Sequence, residues 1–489
     1  MKQRIGGIIA LALIVTGCAT RAQRAVGEAP ASFDAGASAD MVARPANDGG
    51  ATSAPINHDS ATIYNVYPQL YSPSGTLTAV TIDLKRIHEL GFDTLYLFPV
   101  TPIGQPTYNR PAFGSPYCVN DYYAVADSLG SEADLTMLVQ TAHKLGMHVI
   151  LDEVLNHTSW DNSLITLHPE YYLHSDGNPL NLDSIEQAFN FPDVAQLDYK
   201  TPGNGVAEYM TDMLVYWIAT FDIDGFRFDT ADNPAGDGRM IPASFWQNLR
   251  PQLEATKAGI FMLGEAEDPA LSDMPFDLDY GWQLQGVYGA GGLQQVANGS
   301  DATLLEQAWL AQKSGYPSDV RHMTLLQDWD LDEDLTLYGG APNTMAAAVF
   351  NFTIDGIPML FNGEEVGNDN SGVNTHTPID WSGPNAATFT PFYQSLLALR
   401  NGNPALQQGA VNWITNSAPS SVVSYTRTNA DATFLVVINF SNNVVSGTLS
   451  GLNTGSWTDV SPVGSPGGTT HAQPPALMLS PYDFAVFRQ

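Results

Sequence analysis

Three short segments of the chain each place a carboxylate after an apolar, strand-like run. They are GFRFDTADN (225–233), GEAE (264–267) and LLQDWD (325–330). In a barrel of parallel strands, the residues that do chemistry lie at the carboxyl ends of the strands. Three carboxylates at such an edge, with an arginine two residues before the first, suit the cleavage of a glycosidic bond through an oxocarbenium-like transition state.

The segments that would position these residues alternate between strand-like and helix-like patterns. Predicted strands cover 62–70, 93–100, 148–155, 225–229, 259–264, 323–327 and 359–361, and predicted helices cover 77–90, 135–145, 206–221, 245–256, 344–353 and 392–400. A less readable sixth unit covers about 275–318. The unit count and the length favour an α/β fold with a (β/α)8 TIM barrel, although a doubly wound open sheet would give a similar alternation.

The barrel pattern is interrupted once and ends before the chain does. Residues 157–200 are rich in Asn, Asp, Pro and Tyr, which predicts a loop domain inserted after strand 3 of a barrel that spans 59–403. Beyond residue 403, short β runs at 411–414, 422–427, 433–440 and 484–487 lie between Gly, Ser, Asn and Pro turns. They predict a C-terminal antiparallel β-sandwich over 404–489.

The N-terminus has the pattern of a targeting segment. Lys2 and Arg4 precede an apolar run at 8–15, and the sequence VTGC follows, ending at Cys18. This resembles a bacterial lipoprotein signal, which predicts removal of residues 1–17 and lipid on the thiol of Cys18. A cysteine placed by accident in an ordinary secretory signal is the alternative. Residues 18–58 are rich in Ala, Gly, Ser, Asp and Pro and predict a flexible tether.

If the lipoprotein interpretation holds, a lipid anchor at Cys18 attaches the protein to a membrane of the bacterial cell envelope without spanning it. Ala19 after the cysteine is not an Asp that would favour retention at the inner membrane, so we expect the outer membrane, with the protein facing the periplasm or the exterior. The only other cysteine, Cys118, has no partner within the mature chain and is expected to be a small buried hydrophobe.

The charge of the chain excludes one class of partner and leaves another open. The sequence has 51 acidic and 19 basic residues, a formal net charge of −32. Such a surface repels phosphate backbones, so we expect no nucleic-acid partner. An uncharged polymer such as a glucan is not repelled.

Six segments in chain order resemble the conserved segments of the α-amylase family of retaining glycoside hydrolases and transglycosylases. They are DEVLNH (152–157), DVAQLD (193–198), GFRFD (225–229), GE (264–265), LLQDWD (325–330) and GIPMLFNGE (356–364). The resemblance extends from about residue 60 to the C-terminus. It implies a (β/α)8 barrel and a double-displacement mechanism.

The resemblance also implies roles for the three carboxylates. Asp229 would be the nucleophile, kept ionised by Arg227, which points to the same side of its strand. Glu265 would be the general acid and then the general base, although Glu267 and Asp268 lie nearby in the sequence.

Asp330 would be the third carboxylate, holding sugar hydroxyls, and Asp328 is its rival. Three further residues are implied to bind the substrate. His157 would contact the sugar before the scissile bond, and Tyr117 would stack under it, although a lone tyrosine is more often core. Trp329 departs from the family pattern, which usually has His at this position. Tryptophan has one hydrogen-bond donor and a large face, so stacking is the expected contact.

A calcium ion is the implied cofactor. In the family, the ligands are the Asn of strand 3, an Asp of the inserted segment and a carbonyl after strand 4. Here Asn156, Asp193 or Asp198, and the carbonyl of Asn233 supply oxygens suited to a hard cation. Ordinary hydrogen bonding within the loops is the alternative.

We therefore expect an α-amylase-like enzyme that cleaves α-1,4-glucosidic bonds of starch-like α-glucans or maltooligosaccharides with retention. A transglycosylase or an α-1,6-glucosidase of the same superfamily would need the same three acids. A non-catalytic glucan-binding lipoprotein is the alternative of another class. The presence of all three acids, Asp229, Glu265 and Asp330, argues against it.

Overall fold

The computed structural model describes residues 54–105, 114–232, 241–271, 275–286, 291–331, 334–368, 377–468 and 470–489. The predicted signal segment, Cys18, most of the predicted tether and Asn233 lie outside these ranges. Within these ranges, no helix combines the length and the apolar character needed to cross a bilayer.

Eight parallel strands form one sheet. They are β1 (Ile63–Val66), β2 (Thr94–Leu97), β3 (His148–Glu153), β4 (Gly225–Phe228), β5 (Phe261–Gly264), β6 (Asp279–Tyr280), β7 (His322–Thr324) and β8 (Ile357–Phe361). The strand order is β5-β4-β3-β2-β1-β8-β7-β6. A parallel bridge between Leu263 and Leu278 joins the two ends of this order. The sheet is therefore closed, which confirms the predicted barrel and excludes the open doubly wound sheet.

Helices cover the outside of the barrel. The longer ones are α1 (Leu77–Leu90), α2 (Glu132–Lys144), α3 (Val206–Phe221), α4 (Ala243–Thr256), α5 (Thr303–Gln312), α6 (Ala341–Thr353) and α7 (Ala386–Asn401). Single turns of α-helix lie at Pro68–Tyr71, Leu164–Leu167, Trp282–Gln285, Leu293–Ala297, Asp334–Leu337 and Pro404–Gln408, and 3₁₀ turns lie at Pro169–Tyr171, Leu182–Ser184 and Glu364–Val366.

The bounds of α1 follow from local chemistry. The Thr76 side chain accepts a hydrogen bond from the Ala79 amide at the start of the helix, and Gly91 ends it with a φ of 119° that a glycine adopts without strain. In α7 the prediction was wrong, because the helix begins at Ala386 and contains Pro391. Ala387, whose carbonyl loses its intrahelical donor at Pro391, is exposed, so water can satisfy that carbonyl.

The segment between β3 and α3 carries its own antiparallel pair of strands. His157–Ser159 pairs with Val194–Gln196, with His157 opposite Gln196. Cys118 is fully buried beneath this pair, beside Ala188 and Val194, and its thiol contacts the carbonyl of Asp193. The inserted segment thus folds back onto the residues that leave strand β3.

The C-terminal strands are β9 (Ala410–Trp413), β10 (Val422–Thr428), β11 (Thr433–Asn439), β12 (Val445–Thr448), β13 (Thr458–Asp459), β14 (Ala476–Leu479) and β15 (Phe484–Arg488). Five form an antiparallel sheet in the order β9-β10-β11-β15-β13, and β12 pairs with β14. An apolar cluster that includes Leu435, Leu477 and Phe487 draws on both sheets, as the predicted β-sandwich requires.

Candidate active site

The side chain of Arg227 joins three carboxyl groups at one end of the barrel. Its Nη1 lies 2.9 Å from Asp152 and 3.2 Å from Asp229, and its Nη2 lies 2.8 Å from Glu265. Its Nε donates to the hydroxyl of Tyr280 at 3.1 Å. These carboxyl groups come from the ends of β3, β4 and β5, which are neighbours in the sheet. The arginine therefore brings the predicted nucleophile and the predicted acid to one cation.

Strand geometry explains why these side chains meet. Arg227 and Asp229 are two residues apart, so both point into the barrel. Gly225 lets β4 approach β5 closely, because a Cβ there would lie 2.3 Å from the carbonyl oxygen of Phe261. Thr230 has a φ of 45°, which is unusual for a residue with a side chain. That turn directs the Thr230 amide to Glu265 Oε2, at 2.8 Å.

Burial, a neighbouring carboxyl group and Arg227 all shift the pKa of Asp229. Burial raises the pKa of Asp229 well above its ordinary value, and the neighbouring Glu265 raises it further, while Arg227 lowers it. Arg227 thus acts on Asp229 in the expected direction and against the effect of burial, and the ionised state of Asp229 in catalysis stays a prediction.

Glu265 is separated from its two sequence rivals by its contacts. Glu265 binds Arg227 and the Thr230 amide. Glu267 instead accepts a hydrogen bond from the Gln283 amide at 2.8 Å, and Asp268 accepts one from the Ala270 amide at 2.9 Å. Of the three carboxylates in this segment, the structure brings Glu265 to the arginine.

Both carboxyl groups that follow β7 interact electrostatically with residues of the site. Asp330 is exposed, and its amide donates to Asp328 Oδ1 at 3.0 Å. The charge of Asp330 contributes to the raised pKa of Asp229. Asp328 is buried, and burial followed by the charge of Asp330 raises the pKa of Asp328. The structure thus places the predicted third carboxylate near the site together with its rival.

Tyr117 and His157 lie side by side at the site. The Tyr117 hydroxyl donates to Asp152 Oδ2 at 2.9 Å, and its ring centroid lies 5.9 Å from the Arg227 guanidinium carbon. His157 Nε2 lies 3.0 Å from the Tyr117 carbonyl, so it carries the proton in this contact. His157 Nδ1 is buried without a hydrogen-bond partner among the described residues. Burial lowers the pKa of His157 to about 4, so the ring is neutral at pH 7.

Trp329 belongs to an aromatic cluster with Tyr67, Phe98 and Tyr117. Its side chain packs edge-on against Tyr67, with ring centroids 4.9 Å apart, and against Phe98, at 5.8 Å. Tyr117 is the next ring, at 6.3 Å. Only 4% of Trp329 is exposed. The residue that departs from the family pattern is therefore a packing partner of the residues that line the site.

Two residues of the site were not singled out from the sequence. The Tyr96 hydroxyl donates to Asp152 Oδ2 at 2.7 Å, and the Tyr280 hydroxyl accepts from Arg227. Tyr96 lies on β2, where the alternation of the strand pattern is a usable signal for an inward side chain. Tyr280 lies on the two-residue strand β6, in the sixth unit, whose sequence pattern is less readable than that of the other units.

The described residues that were predicted to bind calcium make hydrogen bonds within the protein or are buried. Asn156 Oδ1 lies 3.1 Å from Gln196 Nε2, and Asp198 Oδ1 accepts from the amides of Lys200 and Thr201. Asp193 is buried at the start of the Val194–Gln196 strand. The described ranges contain no group of three or more His, Cys, Asp or Glu side chains that could hold a metal ion. With Asn233 outside those ranges, calcium stays a prediction.

Comparisons with known proteins place the chain in a family. Sequence models of the alpha amylase catalytic domain and of the alpha amylase C-terminal all-beta domain match residues 29–391 and 413–474. A cyclomaltodextrinase from a Bacillus species is 27% identical over an alignment 390 residues long, which covers 75% of this chain and 65% of that protein. The chain spans 56–65% of the length of this relative and two other curated relatives.

Two solved structures share the fold. The alpha-amylase of Lactobacillus plantarum has a TM-score of 0.75 and 26% sequence identity, covering 88% of this chain and 99% of that one. A noncanonic maltogenic alpha-amylase from Thermotoga neapolitana has a TM-score of 0.72 and 24% identity, covering 89% of this chain and 97% of that one. With both domains matched and the carboxylates gathered at the barrel end, the chain belongs to the alpha-amylase family.

Proposed function

We propose that this protein is a retaining glycoside hydrolase that cleaves α-1,4-glucosidic bonds of starch-like α-glucans or maltooligosaccharides. The observation that carries the proposal is the contact of Arg227 with both Asp229 and Glu265 at the ends of adjacent strands. The similarity to a cyclomaltodextrinase and to alpha-amylases supports an α-glucan as the substrate.

In the proposed mechanism, Asp229 attacks the anomeric carbon while Glu265 protonates the leaving oxygen, which gives a covalent glycosyl-enzyme. Glu265 then removes a proton from water, and the water oxygen attacks the same carbon, which breaks its bond to Asp229 and frees the carboxylate. The net result is hydrolysis with retained configuration. Asp330 would bind sugar hydroxyls, and His157 Nδ1, being unprotonated, can accept a hydrogen bond from one of them.

The reaction requires the proton on Glu265 and the charge on Asp229. Arg227 Nη2 and the Thr230 amide nitrogen each lie 2.8 Å from Glu265 Oε2. Burial favours a proton on Asp229. Arg227, which contacts both carboxyl groups, lowers the pKa of Asp229 and so acts against the effect of burial.

The first test is product analysis. The mature chain without its anchor would be incubated with maltoheptaose, and the products followed by chromatography and proton NMR. Shorter, initially α-anomeric products with rising reducing ends support the proposal. Longer products with constant reducing ends would indicate a transglycosylase. Binding without turnover would indicate a glucan-binding protein.

A cyclomaltodextrin and an α-1,6-linked oligosaccharide would be tested in parallel, and faster cleavage of the latter would move the assignment to an α-1,6-glucosidase. Asp229→Ala and Glu265→Gln should each remove most turnover while the circular dichroism spectrum stays unchanged. Near-normal turnover in either variant would contradict the site assignment. Asp183→Asn, an exposed carboxylate in the inserted segment, is the matched control.

We also propose that the protein is attached to the bacterial cell envelope by lipid on Cys18. The charged start, the apolar run at 8–15 and the VTGC sequence support this proposal. Cells that express the full chain would be labelled with a fatty acid and fractionated. We expect label and membrane association in the natural chain and neither in Cys18→Ala. Membrane association that persists in the variant would contradict the proposal.

A further inference from the structure

The side-chain amide of Gln196 occupies a cradle of three oxygens. Its Nε2 lies 3.0 Å from the carbonyl oxygen of Asn156, 3.1 Å from Asn156 Oδ1 and 3.0 Å from the carbonyl oxygen of Leu197. Gln196 is 1% exposed. These three oxygens, here called the oxygen cradle, therefore converge on one buried nitrogen.

The oxygens fix which end of the amide enters the cradle. Carbonyl oxygens only accept hydrogen bonds, and the amide nitrogen has two hydrogens to donate. Gln196 Oε1 is buried and has no hydrogen-bond partner among the described residues. Rotating the amide would place that oxygen against the three oxygens of the cradle and remove the donor that they share. The Asn156 carbonyl would keep the Leu197 amide, at 3.0 Å, as a donor. The arrangement with nitrogen inward is thus the favourable one.

The oxygen cradle has the chemistry of a hard-cation site. Calcium binds backbone carbonyls, amide oxygens and carboxylates at about 2.3–2.6 Å. Asn156 is also the residue that the family resemblance assigns to calcium. Here the centre of the cradle holds a nitrogen, and the Asp198 carboxylate binds the amides of Lys200 and Thr201. The donors that the structure describes do not fit a bound calcium ion.

We propose that Gln196 takes the place of a calcium ion and holds the inserted segment against the end of β3 without metal. The amide joins Asn156, which follows β3, to Leu197, which follows the Val194–Gln196 strand of the inserted segment. Asn156 directly precedes His157, and His157 lies opposite Gln196 in the strand pair. Gln196 is therefore a positioning residue for His157 at the candidate active site.

The substitution Gln196→Glu should turn the oxygen cradle into a site that needs a cation. The substitution keeps the shape of the side chain but replaces the donor with an oxygen and adds a negative charge. Four oxygens would then face each other, which destabilises the fold unless a cation enters. With calcium, the same four oxygens become ligands. The variant should therefore gain a dependence on calcium that the natural chain lacks.

The experiment measures the unfolding temperature, Tm, of the chain without its signal, first in EDTA and then with calcium added in excess. This readout is independent of the proposed catalytic activity. We expect the Tm of the natural chain to be the same in both conditions. Gln196→Glu should unfold several degrees lower in EDTA and recover with calcium, because a ligand that binds only the folded state raises Tm.

Two control variants separate the cradle from other effects. Gln187→Glu makes the same charge change at an exposed position of the inserted segment, and its Tm should not respond to calcium. Gln196→Met keeps the length but loses the donor, so its Tm should fall without calcium rescue. If EDTA lowers the Tm of the natural chain and calcium restores it, the proposal is overturned. A Gln196→Glu chain that calcium does not stabilise, or that never folds in calcium, would also contradict it.

Discussion

The carboxylate of Asp152 binds the guanidinium of Arg227 through both oxygens, at 2.9 and 3.1 Å from Nη1. Tyr96 and Tyr117 donate to the same carboxylate. Asp152 lies on β3 and Arg227 on β4. This ion pair holds the guanidinium in the position from which it also contacts Asp229 and Glu265. The position of the proposed catalytic pair therefore depends on a residue one strand away.

Asp152→Asn should reduce kcat/KM by about 100-fold, because a displaced Arg227 misplaces the proposed catalytic carboxyl groups. The charge of Asp152 also raises the pKa of Asp229. We therefore expect the acidic limb of the pH profile to move to lower pH in the variant, which a purely structural defect would not cause. Steady-state kinetics from pH 4 to pH 8 would measure both effects, and an unchanged kcat/KM would show that Asp152 does not position the arginine.

Asp229→Asn should make the protein inactive but more stable at neutral pH. The folded-state pKa of Asp229 lies above the ordinary value of about 3.9, so the folded state holds the proton more tightly. The natural chain therefore loses stability as pH rises from about 4 through the folded-state pKa, and an amide has no such loss. Tm would be compared at pH 4 and pH 8. If the difference in Tm between Asp229→Asn and the natural chain were the same at pH 4 and pH 8, the raised pKa of Asp229 would be contradicted.

His157 should make the fold sensitive to acid. Its pKa falls from 6.5 in the unfolded chain to about 4 in the folded one, because burial disfavours the charged ring. The unfolded state takes up the proton first as pH falls through this window, so stability declines by at most about 3 kcal/mol. Urea unfolding at pH 6.5 and pH 4.5 would measure the decline. His157→Gln, which does not titrate, should show a smaller decline, and an equal decline would refute the assignment.

Trp329 should be needed for stability as well as for substrate binding. Trp329→Ala removes a ring that packs against Tyr67 and Phe98, and we expect a loss of about 3–5 kcal/mol in the free energy of unfolding. Trp329→Phe keeps an aromatic ring and should recover most of it. Urea unfolding would be combined with KM for maltoheptaose. If Trp329→Ala changed KM without any loss of stability, the indole would be a sugar-binding group and not a packing member of the aromatic cluster.

The sequence by itself determined the layers of the fold and the positions of the carboxylates along it. Hydrophobic periodicity, capping residues and strand ends are local properties. They gave the barrel and the bounds of α1 and α3 as the structure has them. They also placed Asp229 and Glu265 just after β4 and β5, because the carboxyl end of a strand can be read from a few neighbouring residues. The family resemblance then supplied their expected roles.

Only the tertiary structure decided which side chains contact each other and how burial shifts the pKa of the carboxyl groups. Arg227 and Asp152 are 75 residues apart in the chain, and no local pattern reports their contact. The raised pKa of Asp229 depends mainly on burial, which the whole barrel creates. Gln196 had no role in the sequence pattern, because its oxygen cradle forms only when the inserted segment folds back onto Asn156. Contacts between distant segments, and the burial they cause, set the chemistry of the side chains that the sequence had placed.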